Sequence, residues 1–419
     1  MSATSRLWLR FGREDRGNVA MIFGLALVPL VGLIGLAVDY GDWSNRRTSL
    51  TKAADAGSLA GIRELINAIQ ERDDGRATAR AQTVALNYLN ANGIGASTYT
   101  VSPSTAEPVK VTIELSEAAR RYFSQVIDPK THNIDVVSEA IATKAADACV
   151  IALAPNASVG IDFNLSGDVV ANDCSIWSNA QSGKSISGNG SGNVRSATTC
   201  AVGGASAGGG IHFKPDVKSG CLSVKDPLAK WSPPVYASSC TKRNLTLQKP
   251  GLYTLEPGVY CGGIDIRGGA IVTLKPGLYV IQDGPLSVVG GGAISGSEVS
   301  ILFTGNKAVA DLGGASVVNL SAPTSGPMAG LVLAAGRDEP QQTSTLAGNT
   351  NFRLEGHVYL PTHDLKYSGG PEGVLPAAYT NVIARTIKFD GTSRVEFRKN
   401  TSGGPSYAAK AFIGIHLVH

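Results

Sequence analysis

From Val19 to Val38 the chain runs VAMIFGLALVPLVGLIGLAV, twenty residues without a charge, and Asp39 closes the run. At 1.5 Å per helical residue that length covers ~30 Å, the hydrocarbon thickness of a bilayer. Pro29, Gly32 and Gly35 would weaken a soluble helix but are tolerated in a spanning one. A cleaved signal peptide would carry a shorter apolar core of ~7–15 residues ending in a small-x-small site. Here Asp39-Tyr40-Gly41-Asp42-Trp43 follows instead, so an uncleaved anchor is expected. Beyond Asp39 the pattern turns amphipathic. Leu50, Ala54, Leu59, Ile62, Ile66 and Ile69 recur at helical spacing, with Arg63, Glu64, Glu71 and Arg72 between them. A second helical pattern, Ala77 to Asn90, stops at Asn92-Gly93. Strands are predicted at 98–101, 109–113 and 134–137, with a helical stretch over 117–126. Gly57 and Gly61 form a G-x-x-x-G, which suits either contact with another helix or a small-residue core face within the chain.

Past residue 150 the pattern becomes repetitive. Pro-Gly-aliphatic-Tyr occurs at Pro250, Pro257 and Pro276, and Gly-Gly-Ala at Gly268, Gly291 and Gly313. Short β runs fill the gaps, among them Ile264–Ile266, Ile271–Leu274, Tyr279–Ile281, Leu286–Val289 and Val299–Phe303. Strands this short, separated by glycine turns at periods of ~20 residues, describe the coils of a parallel β-helix. Earlier, Phe163–Gly167 and Lys184–Gly188 repeat at a spacing of 21. A β-sandwich with glycine turns is the structural alternative.

Composition sharpens this division. Of the 50 glycines, 39 lie after residue 150, while charge thins out. A net charge of +4 and the lack of a basic arm argue against nucleic acid as a partner. All six cysteines, Cys149, Cys174, Cys200, Cys221, Cys240 and Cys261, fall in the glycine-rich part, at steps close to one coil. With no C-x-x-C pair they suit disulfides in an oxidising compartment, and Cys149–Cys174 is the expected first bridge. The other pairings stay open. Arg6, Arg10, Arg13 and Arg16 precede the apolar run and Arg46, Arg47 and Lys52 follow it, a weak positive-inside bias toward a cytoplasmic N-terminal tail.

Arg16–Phe23, the apolar run, Asp39-Tyr40 and Lys52–Gly61 with its Ala-Asp-Ala-x-x-Leu-Ala resemble the N-terminal region of TadG-like proteins of the tight-adherence (Flp) pilus-assembly system. The resemblance covers residues 12–65 best. It implies an inner-membrane protein with a pilin-like α+β unit, working beside other pilus-assembly subunits. Ile22 stands where prepilin-peptidase processing wants a glutamate, counting five positions from Gly17, so the anchor is expected to persist. Distal parts of some family members look similar too, with Asp226-Pro227-Leu228 and Pro233-Pro234 marking a connecting segment. The Asp-x-Ser-x-Ser metal motif of von Willebrand A-type relatives is absent.

Catalytic motifs are weak. Gly204–Gly208 matches G-x-S-x-G around Ser206 but lacks the strand–helix context of a nucleophile elbow. His357, His363 and Asp364 are expected on a solvated rim. Asp265 and Arg267, with Asp283 one coil on, are the best candidates for carbohydrate chemistry on a solenoid face. No catalytic residue, cofactor or metal ligand is assigned. The expected organisation is a cytoplasmic tail (1–18), a transmembrane helix (19–38), a pilin-like α+β unit (39–148) and an all-β, glycine-rich, parallel β-helix-like domain (149–419). The expected function is a non-enzymatic scaffold or adhesion role in a Flp-type machine, with the bulk periplasmic or surface-facing. The alternative is a membrane-tethered protein that binds or cleaves carbohydrate, with cell-surface glycans as ligands.

Overall fold

The computed structural model describes residues 17–94, 98–313, 316–348, 352–369, 380–392, 394–398 and 405–418. The tail with Arg6, Arg10, Arg13 and Arg16, and His419, lie outside these. Two compact units emerge, and neither is one continuous stretch of chain. The first takes residues up to Leu65, Asp74–Ile141 and Ile415–His419; the second takes Ile66–Asp73 and Ala142–Gly414.

The first unit is built on the helix α1 (Gly17–Gln70) as far as Leu65, with α2 (Ala77–Ala91) beside it. The N-terminal part of α1 is long and apolar enough to cross a membrane, and its side chains there are almost all exposed. From residue 21 to 49 only Gly35 and Asp39 are buried, four apart on one helix face; from Leu50 the same face sinks into a core. α2 contributes Ala77, Ala81, Ala85 and Leu89 to that core. A four-stranded sheet completes it, in the order β1 (Thr98–Ser104), β2 (Val109–Ala118), β3 (Asn133–Lys144) and Phe412–Val418. Val111, Ile113 and Leu115 alternate inward on β2, as do Ile134, Val136 and Ala140 on β3. Gly57 and Gly61 serve this intrachain core. A Cβ on Gly57 would stand 2.8 Å from Ile113 Cδ1, and one on Gly61 3.2 Å from the Ala85 Cβ. The helix expected over 117–126 is not formed. β2 continues through Ala118, because Leu115 extends its buried alternation, and only a 3-10 turn at Ser124–Val126 follows.

The second unit is a parallel β-solenoid, which disposes of the sandwich alternative. Its coils do not stack in simple chain order. One row of register partners traverses the whole stack: Ser206, Ser187, Asp162, Lys388, Lys366, Thr345, Asp311, Ser287, Asp265 and Thr246. The numbers descend to 162, jump to 388 and descend again to 246. The chain thus enters mid-stack, builds one arm outward to Lys218–Ser219, crosses to the far end and builds the second arm back until Val382–Gly391 pairs with Ala148–Ala152 and Ile161–Leu165. Phe163 faces Gly188, 25 positions on, not the 21 of the Ser-Gly repeat.

Inside, Ile, Val, Leu and aromatic side chains form one continuous cluster. Tyr367, Phe389 and Phe163 stack rung over rung at 5.5 and 5.1 Å between ring centroids. Gly262 and Gly263, both at positive φ (77° and 88°), turn the strand Gly258–Ile266 from one face to the next. A side chain at Gly263 would drive its Cβ to 2.2 Å from the Pro285 carbonyl oxygen, so the corner is closed to other residues.

Candidate functional site

The six cysteines form the pairs Cys149–Cys174, Cys200–Cys221 and Cys240–Cys261, with Cα atoms 5.7, 6.0 and 5.7 Å apart. The first ties two neighbouring coils. The other two fix the ends of the segment that crosses from one arm to the other, where Asp226-Pro227-Leu228 and Pro233-Pro234 lie. This strap covers an outward-pointing column of the stack: Cys200, Trp177, Ile151, Ile383, Tyr359, Ala334, Leu302, Val280 and Val259, each the register partner of the next. Cys221, Val224 and Leu228 of the strap join these residues in a second apolar cluster. Its polar contacts are specific. Trp177 Nε1 donates to the Leu222 carbonyl at 2.9 Å, and the Asn179 amide exchanges two bonds with the Val224 backbone at 2.8 and 3.0 Å. The Tyr359 hydroxyl donates to Asp226 at 3.0 Å, and burial pushes that phenol far above its usual range.

The residues proposed for chemistry are dispersed. Asp265 pairs with Arg267 through its own strand (Arg267 Nε to Oδ1, 3.0 Å), and its partner one coil on is Ser287, not Asp283. Asp283 sits at φ 53°, where its carboxylate accepts the Asn306 amide at 2.9 Å as part of a turn. Ser206 is exposed on a three-residue strand. His357 and His363 are not on a rim: both are fully buried. His357 Nε2 lies 2.9 Å from the Pro405 carbonyl oxygen and His363 Nδ1 lies 2.8 Å from Ser344 Oγ. Burial pushes each imidazole down to about 4. Asp364 faces the other way and receives the Arg385 guanidinium at 2.7 Å. Strand alternation therefore turns Asp364 away from His363, while His357, six positions back, is held by a different partner.

In the first unit, the structure assembles a site around Asp39 that residue-type patterns do not announce. Its carboxylate accepts the backbone amides of Tyr122, Phe123 and Ser124 at 3.0, 2.9 and 2.6 Å. Burial works against ionisation here, but these amides and the Ser124 side chain outweigh it, holding the group well below the usual carboxylate range. Arg121 closes the same loop by donating to the carbonyls of Asp128, at 3.0 Å, and Lys130. Further along α1, Arg46 clasps Glu117 through two bonds of 2.7 and 2.6 Å, which lowers the glutamate and raises the arginine. Between the clasps opens a cleft of about 650 Å³ lined by Leu36, Tyr40, Trp43, Ile127 and His132. The available signal was the apolar string Tyr122-Phe123-x-x-Val126-Ile127 next to three basic residues, which the helical reading absorbed.

Among curated proteins and solved structures, none matches this chain. Residues 17–85, comprising α1 and the greater part of α2, match the Tad family model, "Putative Flp pilus-assembly TadE/G-like".

Proposed function

We propose that the chain is an accessory scaffold of a Tad-type (Flp) pilus-assembly or secretion machine, held in a bacterial inner membrane by α1, with its solenoid on the periplasmic or outer side. The observation that carries the reading is the position of the family match. It falls on the apolar run and the helix pair continuous with it, the part of the chain that would meet other membrane-embedded subunits. The scaffold role is non-enzymatic. Its support is the dispersal of Asp265, Asp283, Ser206, His357 and His363 into an ion pair, a turn, an exposed edge and two buried positions. Deleting the gene should abolish or strongly reduce pilus assembly and surface adhesion, and the full-length gene should restore both. Normal filaments and adhesion in the deletion strain would remove the reading.

A second reading rests on the row from Ser206 to Thr246. It sets hydroxyl, carboxylate and ammonium groups at the ~4.8 Å spacing of stacked strands, a periodic polar face that suits an extended glycan. Retention of the full chain on immobilised acidic polysaccharide, reduced by Lys366→Ala with Lys388→Ala, would favour it. Absence of retention leaves the scaffold alone.

A further inference from the structure

We propose that the loop joining β2 to β3 is a second membrane contact, an apolar tip that enters the headgroup–acyl boundary of the leaflet in which the uncharged run of α1 ends at Val38. The proposal rests on the reading of residues 19–38 as a membrane span.

Close packing sets the depth. The Phe123 side chain occupies the place where Gly35 lacks a Cβ: a Cβ built there would lie 2.6 Å from Phe123 Cγ and 2.7 Å from its Cβ. Gly35 belongs to the uncharged run and lies one helical turn, ~5 Å, inside Asp39. Whatever medium surrounds that turn of α1 also surrounds Phe123. The tip is dressed for such a medium. Tyr122, Phe123, Val126 and Ile127 are 58%, 49%, 85% and 70% exposed, four large apolar side chains within six residues. In water such a cluster is unfavourable, whereas at an interface it buries itself.

The backbone is prepared as well. Amides and carbonyls entering a lipid boundary need internal partners. The amides of residues 122–124 give theirs to Asp39, and the carbonyls of Asp128 and Lys130 take theirs from Arg121. The turn at Ser124–Val126 closes further bonds, Val126 N to the Phe123 carbonyl at 3.2 Å and Ile127 N to the Ser124 carbonyl at 3.1 Å. Arg120 and Lys130 flank the apolar tip, and Trp43 with Arg47 lies one turn beyond Asp39 on α1. This is the sequence of layers that anionic phospholipid selects: apolar tip, aromatic belt, basic collar. Continuity with the span identifies the occupant as lipid rather than a protein groove.

The test uses the full chain in vesicles of phosphatidylcholine and phosphatidylglycerol. All six native cysteines are in disulfides, so a single introduced cysteine takes a fluorescent label. Label is placed on Val126→Cys, on Leu30→Cys within the span, and on Val235→Cys, a fully exposed site on the strap of the second unit. Lipids carry a nitroxide quencher either near the headgroup or near the chain end. The expected result is loss of most Val126→Cys emission with the shallow quencher, loss of Leu30→Cys emission with the deep one, and no change at Val235→Cys. Quenching at Leu30→Cys while Val126→Cys behaves like Val235→Cys would overturn the loop contact, give the apolar tip to a protein partner and leave the anchor standing. An unquenched Leu30→Cys would overturn the anchor and the loop contact together.

Discussion

Asp39 shows how a residue at the end of an apolar run acquires a structural task. A carboxylate that accepts three amides holds a loop in a shape that no helix-capping or turn motif in that loop encodes. Because its folded-state pKa is depressed, this contribution is fully present above the unfolded carboxylate value of ~3.9 and fades only as pH falls toward the folded value. Asp39→Ala should raise hydrogen exchange at the amides of Tyr122, Phe123 and Ser124 by roughly tenfold or more at neutral pH, since all three lose a charged acceptor. Unchanged protection would show that the loop needs no clasp. The two buried histidines act with the same sign but at higher pH. Each is held near 4 by burial, so the unfolded chain binds the extra protons as pH falls from ~6.5 toward ~4, and stability drops across that window. The loss should be on the order of 2–4 kcal/mol per histidine, seen as a falling urea midpoint. His363→Gln should flatten the dependence by about half; an unaltered pH profile would mean that His363 does not titrate in that range.

The strap is the element whose role depends most on cooperation between distant parts. It crosses the stack without secondary structure, yet the fully buried Trp177 and Tyr359 hydrogen-bond to its Leu222 carbonyl and its Asp226 carboxylate. Closing loops of 21 residues, Cys200–Cys221 and Cys240–Cys261 each contribute on the order of 3 kcal/mol through the unfolded state. Replacing Cys221 and Cys240 by serine should therefore free the strap before the coils melt. Limited proteolysis should cut between residues 222 and 239 while the two arms stay intact. Simultaneous digestion of strap and coils would mean that the strap is no separate element. Trp177→Ala should cost about 3–5 kcal/mol, read as a lowered melting temperature, if the column beneath the strap is true core.

At this scale the sequence was only partly legible. The apolar run, both helices and the glycine-turned strands announced themselves through period and punctuation, since each rests on local residue preference. The stretch 117–126 did not. Its conformation is dictated by Asp39, some 80 residues away, and no local pattern carries that information. His357 and His363 were misplaced for a related reason: whether a polar residue in a strand faces in or out depends on where that strand turns its corner, and the register slip between Leu360 and Asp364 decides it here.

Across the whole molecule, a stack of similar coils hides its own order. Parallel pairing looks alike at every rung, so the period reveals neighbours within an arm but not that the arms meet at Val382–Gly391 and Ala148–Leu165. This splice has a consequence. The strand edge at Ala148–Ala152 and Ile161–Leu165 stays unpaired until Val382–Gly391, more than 200 positions beyond Leu165, has folded. A chain ending before residue 380 should show low hydrogen-exchange protection at 150–152 and 161–165 and a tendency to aggregate, although those residues are present. Native-level protection in that truncation would contradict the splice. The proposed role requires an uncleaved apolar helix that holds a disulfide-clamped solenoid at a membrane. Intact-mass spectrometry of carbonate-washed membranes, after thiol alkylation without reduction, tests it most directly. The full-length chain is expected in the membrane pellet, with all three disulfides formed and no alkyl adduct. A chain that leaves the membrane, that begins beyond Val38, or that carries six adducts would contradict it.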